Sequence, residues 1–205
     1  MNNYIIHAPE ILIFFLILFF IGYFLKNNYI IYFSILFFSS LLFFYRGWNG
    51  NIQVKENIIY VPCEGKILNI EESKNFIHLS IFLNLHNIHV QYMPISGKII
   101  EIKHKKGEFY PAYFFEKSKY NERTETKILT KYGIIKFYQI AGQLARRIKV
   151  FHKVNEEVNA LKPFGLIKFG SRCDLIVPKN NFVLNSNLKI GSKVNISDIF
   201  GIYKN

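Results

Sequence analysis

Two runs, ILIFFLILFFIGYFL (residues 11–25) and YIIYFSILFFSSLLFFY (residues 29–45), constrain this chain more than any other feature. The first 45 residues hold only two formally charged side chains, Glu10 and Lys26. A helix with no polar stripe has no solvated face, so such a run is buried all round or meets lipid. A bilayer core takes about 20 helical residues. Each run is short alone, but with its apolar flanks each is long enough to cross with little tilt. Pro9 suits a first helical turn, and Glu10 suits the positive end of the helix dipole. Lys26, Asn27 and Asn28 make a polar break of the length of a tight helix–helix turn. Tyr23 and Tyr45 lie at the edges, as in an interfacial aromatic belt. A secretory signal fits poorly: no basic segment precedes, no small-residue cleavage site follows, and a second apolar run comes next. The expectation is a membrane-associated helical hairpin over residues 1–48, with a hairpin buried in a soluble core as the alternative.

The charge belongs to the rest of the chain. All but one of the 26 Lys/Arg and all but one of the 14 Asp/Glu lie beyond residue 45, so the net +12 resides there. A basic domain suits nucleic acid or an anionic membrane surface. No RNP-like or helix-turn-helix signature is present, which argues against nucleic acid. Arg46 leads from the hairpin into the basic domain, and the Lys/Arg imbalance puts that side in the cytoplasm. The expected location is therefore the cell membrane, with the domain on its cytoplasmic side. Cys63 and Cys173 show no CxxC spacing, and we read two unpaired thiols in a reducing compartment. None of the six histidines stands in an HxxxH or HExxH pattern. His86 and His89 are three apart with no carboxylate beside them, so no metal site is expected.

From residue 49 to 205 short β-branched and aromatic runs alternate with Gly, Pro, Asn and Lys clusters, the pattern of strands. ILTKYGIIKF reads as a hairpin turning at Lys131, Tyr132 and Gly133. An internal echo joins KVNEEV followed by FGLI (residues 153–158 and 164–167) to KIGSKV followed by FGIY (residues 189–194 and 200–203). The expected fold is mostly β (α+β): the helical hairpin, then a compact, β-rich, barrel-sandwich-like domain with pseudo-symmetry.

FGSRCDLIVP (residues 169–178) places Gly170 and Ser171 between two strand-like halves. The plain reading is a turn. The other reading is chemical. Glycine permits a backbone shape that other residues resist. A serine hydroxyl held against the preceding carbonyl can attack it, giving an ester by N-to-O acyl shift. Elimination then leaves dehydroalanine, which hydrolyses to a pyruvoyl group and ammonia. That group is an electron sink without a bound cofactor, in the role pyridoxal phosphate fills elsewhere.

Five segments, in order, resemble the short membrane-associated phosphatidylserine decarboxylase proenzymes, archaetidylserine decarboxylases included. They are SIFLNLHNIHVQYMPISGKI (residues 80–99), KGEFYPA (106–112), NERT (121–124), QIAGQLARRI (139–148) and GLIKFGSRCDLIVP (165–178). The resemblance implies self-cleavage between Gly170 and Ser171, giving a β chain (1–170) and an α chain (171–205) that stay associated. Ser171 becomes the pyruvoyl group, the substrate amine condenses on it as a Schiff base, and CO2 leaves a serine phospholipid to yield the ethanolamine lipid. His89, in the NIHV stretch, is the expected acid/base that reprotonates the α carbon, with His86 structural. Glu64 of VPCEGKI stands where many members have Asp and is expected to assist self-cleavage by orienting a histidine. Gln91 and Tyr92 replace a common Asn-Arg, which removes one anion contact. Arg46, Gly47 and Trp48 depart from the family's usual Arg-Asp-Pro. Arg146 and Arg147 either bind the substrate carboxylate or phosphate, as Arg forks do well, or form a solvated pair. Lys168 and Arg172 flank the scissile bond and are expected to face lipid headgroups. Asn121, Glu122 and Arg123 are expected to be structural. Diacyl and archaeal ether lipids stay open as substrates, as does a homodimer. The competing function is a non-enzymatic, membrane-anchored lipoyl-like β module.

Overall fold

A computed structural model describes residues 4–7, 9–143, 148–168 and 170–204. It divides into two compact units, Met1–Gly50 and Asn51–Asn205.

In the first unit a short 3-10 turn (Ile5–His7) precedes α1 (Pro9–Phe24) and α2 (Asn28–Phe44). Asn27 caps α2, its Oδ1 accepting from the Tyr29 and Ile30 amides at 3.0 and 3.3 Å, so the predicted break is also the helix start. The helices pack through Phe15 stacked on Phe38, with ring centroids 4.3 Å apart. Ile13, Phe14, Ile17, Phe20 and Ile21 stay exposed on α1. The two helices have 16 and 17 residues, so each rises only about 25 Å against a hydrocarbon core of about 30 Å. Among the described residues, no helix is long and apolar enough to cross a membrane.

The second unit is mostly β, as the sequence pattern implies. Its strands are β1 (Ile58–Tyr60), β2 (Gly65–Glu72), β3 (Phe76–Leu83), β4 (Val90–Tyr92) and β5 (Gly97–Lys105). After the short helix α3 (Phe115–Ser118) come β6 (Arg123–Thr130), β7 (Gly133–Ala141), β8 (Ile148–Val150), β9 (Glu157–Val158) and β10 (Pro163–Ile167). The chain ends with β11 (Ser171–Pro178), β12 (Phe182–Leu184), β13 (Lys193–Val194) and β14 (Ile199–Tyr203). An eight-stranded sheet runs β13-β2-β3-β11-β7-β6-β5-β9, with two three-stranded sheets, β1-β14-β12 and β4-β10-β8. The strands do not close into a barrel: the long sheet ends on the two-residue strands β13 and β9. One core joins the sheets. Phe137 packs on Phe164 with centroids 5.0 Å apart, and Ile59, Leu79, Ile81 and Ile128 are fully buried around them. Each such side chain contributes about 1.5–3 kcal/mol of burial.

The strand registers carry the internal echo further. β1 meets β14 with Ile58 opposite Ile202 and Ile59 opposite Gly201, while β4 meets β10 with Val90 opposite Leu166 and Gln91 opposite Gly165. β13 puts Val194 opposite Gly65, and β9 puts Val158 opposite Gly97. Each half has a β-bulge in its long hairpin, between Ile67 and Asn69 and between Ile99 and Glu101. Left-handed residues also recur: Asn155 (φ 73°) with Gly191 (φ 89°), and Leu161 (φ 60°) with Ser197 (φ 76°). The Tyr60 amide donates to the Pro94 carbonyl, and the Tyr92 amide to the Pro62 carbonyl, both at 2.8 Å. The unit is thus two equivalent halves: β1–β3 with β11–β14, and β4–β10 between them. They meet where β11 pairs with β7.

Candidate active site

β11 is central in the long sheet, flanked by β3 and β7. Its first residue, Ser171, sits opposite Leu83 on one side and Ala141 on the other. Ser171 is fully buried, and its Oγ has no hydrogen-bond partner among the described residues. An orphaned buried hydroxyl costs about 1–3 kcal/mol, so an unused one signals a role other than stability.

Gly170, before it, has φ +60°, in the left-handed region, and a Cβ there would meet nothing within 4 Å. Its carbonyl is crowded instead. A Cβ on Gly142 would lie 2.1 Å from the Gly170 oxygen and 3.3 Å from the Ala112 Cβ. Only a residue without a side chain fits at 142, and backbone therefore lies against that carbonyl. Asn121 secures the neighbourhood. Its Nδ2 donates to the Ala141 and Tyr110 carbonyls, both at 2.7 Å, and its Oδ1 accepts from the Tyr110 amide. This bears out its structural reading and gives it a purpose: it holds the chain beside Gly142.

The loop after Leu83 carries the histidines. It leaves the strand position opposite Ser171 and returns so that the His89 carbonyl accepts from the Ile167 amide at 3.4 Å. The loop is thus tied to both ends of the 167–171 segment. Glu64, entering β2, grips this loop: its Oε1 accepts from Asn87 Nδ2 at 2.8 Å and its Oε2 from the Ile88 amide at 3.0 Å. Its carboxylate binds the backbone between the two histidines. His89 is buried, with Nδ1 2.9 Å from the Asn87 carbonyl. A carbonyl only accepts, so Nδ1 carries a proton, and this contact fixes the ring's orientation. Gln91, which stands where the family commonly has Asn, has a place of its own. Fully buried, it donates to the His89 carbonyl and accepts from Gln139 Nε2 at 2.7 Å, tying the histidine's backbone to β7. His86 is exposed on a cavity of about 280 Å³ shared with Glu64, Lys66 and Lys193. A second cleft, about 160 Å³, lies over Gly170 and is lined by Leu85, Pro111, Tyr113 and Gln143. Asn84 lines both.

Arg172 corrects an expectation. It does not face outward: it is 3% exposed, and its Nε and Nη2 fork onto both Asp174 oxygens at 2.8 and 2.6 Å. Its Nη1 donates to Ser118 Oγ and the Phe115 carbonyl on α3, and its guanidinium lies 4.5 Å from the Phe115 ring centroid. His78 Nε2 reaches Asp174 at 3.1 Å. Burial pushes the Asp174 carboxyl up, but the hydrogen bonds from His78 and Arg172 outweigh it and hold it below its ordinary value. Lys168 is buried as well. An interior carboxylate satisfies this arginine, which points into the protein and not toward solvent. Arg146 and Arg147 lie outside the described residues. The two thiols, read as independent, lie side by side in the core. Burial and the Cys63 sulfur push the Cys173 thiol well up, which makes it a poor nucleophile.

A family model described as phosphatidylserine decarboxylase matches residues 41–201. A chain of Methanosarcina mazei assigned as an archaetidylserine decarboxylase proenzyme is 38% identical over 151 residues, 74% of this chain and 70% of its own length. A phosphatidylserine decarboxylase proenzyme of Cytophaga hutchinsonii is 35% identical over 202 residues, 91% of each chain. One of Rickettsia bellii is 31% identical over 77% of this chain and 74% of its own. The protein is by these measures a carboxy-lyase. It belongs to the phosphatidylserine decarboxylase family.

Proposed function

We propose that the chain cuts itself between Gly170 and Ser171 and then decarboxylates a serine phospholipid at the keto group this leaves. The observation that carries the reading is the Ser171 hydroxyl, buried and without a hydrogen-bond partner among the described residues, next to a carbonyl that the Gly142 backbone abuts. In the first step His89 takes the Oγ proton, Oγ bonds to the Gly170 carbonyl carbon, and the peptide C–N bond breaks to leave an ester and a free amine. Loss of the Ser171 α proton then expels the Gly170 carboxylate. The resulting enamine takes up water and releases ammonia. Glu64 acts as a positioning residue, since its two hydrogen bonds set the loop on which His89 is carried. Its extra methylene relative to Asp is absorbed by gripping the Asn87 amide and the Ile88 N–H.

When formed, the pyruvoyl group at 171 supplies an acceptor for the electron pair released as CO2 leaves. His89 returns a proton to the α carbon. β11 stays paired to β3 and β7 along its length, so the α chain remains bound after the cut. The cleft over Gly170 suits a lipid headgroup and its apolar neighbour: Phe82, Leu83, Leu85 and Pro111 line it together with the polar side chains of Asn84 and Gln143. The hairpin α1–α2 supplies the membrane association, inserted with its apolar faces in lipid and the catalytic unit on the cytoplasmic side.

A denaturing gel with intact-mass measurement tests the first step. Wild type should give chains 1–170 and 171–205, the shorter beginning with a keto acyl group, and Ser171→Ala should give one intact chain that releases no CO2 from serine-lipid vesicles. A continuous wild-type chain with an ordinary serine at 171 overturns the reading. His89→Ala should lose both cleavage and CO2 release; cleavage at the wild-type rate would confine His89 to proton return.

A further inference from the structure

Lys66 and Lys193 face each other across the β2–β13 pairing. Like charges directly opposite on neighbouring strands destabilise a sheet. Neither has a carboxylate partner among the described residues. Glu64 lines the same cavity, but both of its oxygens are engaged by Asn87 and Ile88.

The other half of the unit is an internal control. There the equivalent pairing sets Lys98 opposite Glu157. The cavity beside it, about 420 Å³, also holds Glu56 and Lys131, paired at 2.8 Å. The fold itself therefore accepts a neutral cross-strand pair at this place. Two lysines stand only in the half that bears Glu64 and Ser171, and Asn84 joins their cavity to the cleft over Gly170.

We propose that Lys66 and Lys193 form the subsite for the phosphodiester of the serine lipid, an assignment that rests on the decarboxylase reading above. The headgroup offers two anions. The carboxylate must leave as CO2, and cations that stabilise it in the ground state oppose its loss. The phosphodiester keeps its charge throughout. Lysines bound to it hold substrate and transition state alike, so they act on KM and leave kcat nearly unchanged.

The direct test is calorimetric titration of glycerophosphoethanolamine, which has the phosphodiester and no carboxylate, into the mature protein. Lys66→Ala/Lys193→Ala should bind it at least about tenfold more weakly than wild type, and Lys98→Ala should match wild type. The double variant should still cut into two chains, which certifies its fold because both side chains are exposed. With soluble glycerophosphoserine as substrate, its KM should rise about tenfold at a kcat within about twofold of wild type. Equal titration of wild type and double variant overturns the subsite. So does weaker vesicle binding with an unaltered KM for the soluble substrate, because the lysines would then serve bilayer phosphates. If wild type binds the headgroup but releases no CO2, the decarboxylase reading fails while the titration still decides the subsite.

Discussion

The β6–β7 turn and the Gly170–Ser171 peptide bond occupy equivalent places in the two halves. In one, Leu129 lies opposite Lys98 and Ile134, Thr130 lies opposite Gly133, and the chain returns through Lys131 and Tyr132. In the other, Phe82 lies opposite Lys66 and Arg172, and Leu83 lies opposite Ser171. There the chain does not turn back. It leaves through the loop after Leu83, builds the whole second half, and re-enters at Gly170. Ser171 therefore stands where a hairpin would close, with its strand pairings made and its incoming backbone supplied from elsewhere. A cut at such a point removes no strand from the sheet. With the proposed cut made there, the sheet would hold the two pieces together.

The sharpest contrast between the halves is electrostatic. Arg172 and Asp174 are buried, while their equivalents Ile134 and Lys136 are exposed. Asp174→Ala leaves a buried guanidinium without its carboxylate and should cost about 3–5 kcal/mol; Lys136→Ala should stay within about 0.5 kcal/mol. Denaturant unfolding of the uncut Ser171→Ala background reads both. The pH dependence follows from the depressed Asp174 carboxyl. Its stabilisation is full above the ordinary carboxylate value of about 3.9 and is lost as pH falls through the lower folded value. Wild type should therefore lose thermal stability below about pH 4, and Asp174→Asn should show a flatter profile there. Equal slopes would remove the pair from the acid response.

The next contrast concerns the carbonyl. Gly142 backbone abuts the Gly170 oxygen, whereas the equivalent of Gly170 is Tyr132, whose ring stacks on Tyr203 with centroids 4.2 Å apart. Gly142→Ala must displace one backbone from the other. A shift of about 1 Å costs on the order of 100-fold in a positioned reaction, so cleavage followed on a gel should slow by about that factor. Cleavage at the wild-type rate would mean that the Gly142 contact does not set the reacting geometry.

Much of this was readable beforehand. The hairpin at Lys131, Tyr132 and Gly133 turns where its residues imply, and the KVNEEV and KIGSKV echo became the strands β9 and β13 with matching left-handed residues. A second echo was there to be seen: VPCEGKI and MPISGKI, which open β2 and β5 and carry Glu64 and Ser96 at equivalent positions. Arg172 and Asp174 stand two apart in a strand, hence on one face, and that spacing alone announces an ion pair. What no local pattern contains is the nesting of one half inside the other. The approach of Gly142 to Gly170 and the grip of Glu64 on the Asn87 turn join segments 28 and 23 residues apart in sequence. Alternation reports which face is buried, and it cannot report which backbone lies across it.

The smallest expected effect is the most direct test of why the proposed cut would fall at one place and not at its equivalent. Tyr132→Gly with Gly133→Ser writes the Gly-Ser pair into the hairpin. Serine at φ +109° is strained, on the order of 1–3 kcal/mol, so the variant should be somewhat less stable and still fold. Flexibility and a hydroxyl would then be present in both halves. The loop with His89, the carboxylate of Glu64 and the bare backbone of Gly142 would serve only the original site. The same two chains as in wild type should appear, with no cut between residues 132 and 133. A new fragment ending at residue 132 would mean that the dipeptide in a strained turn suffices, and that the buried surroundings of Ser171 contribute nothing to choosing the bond.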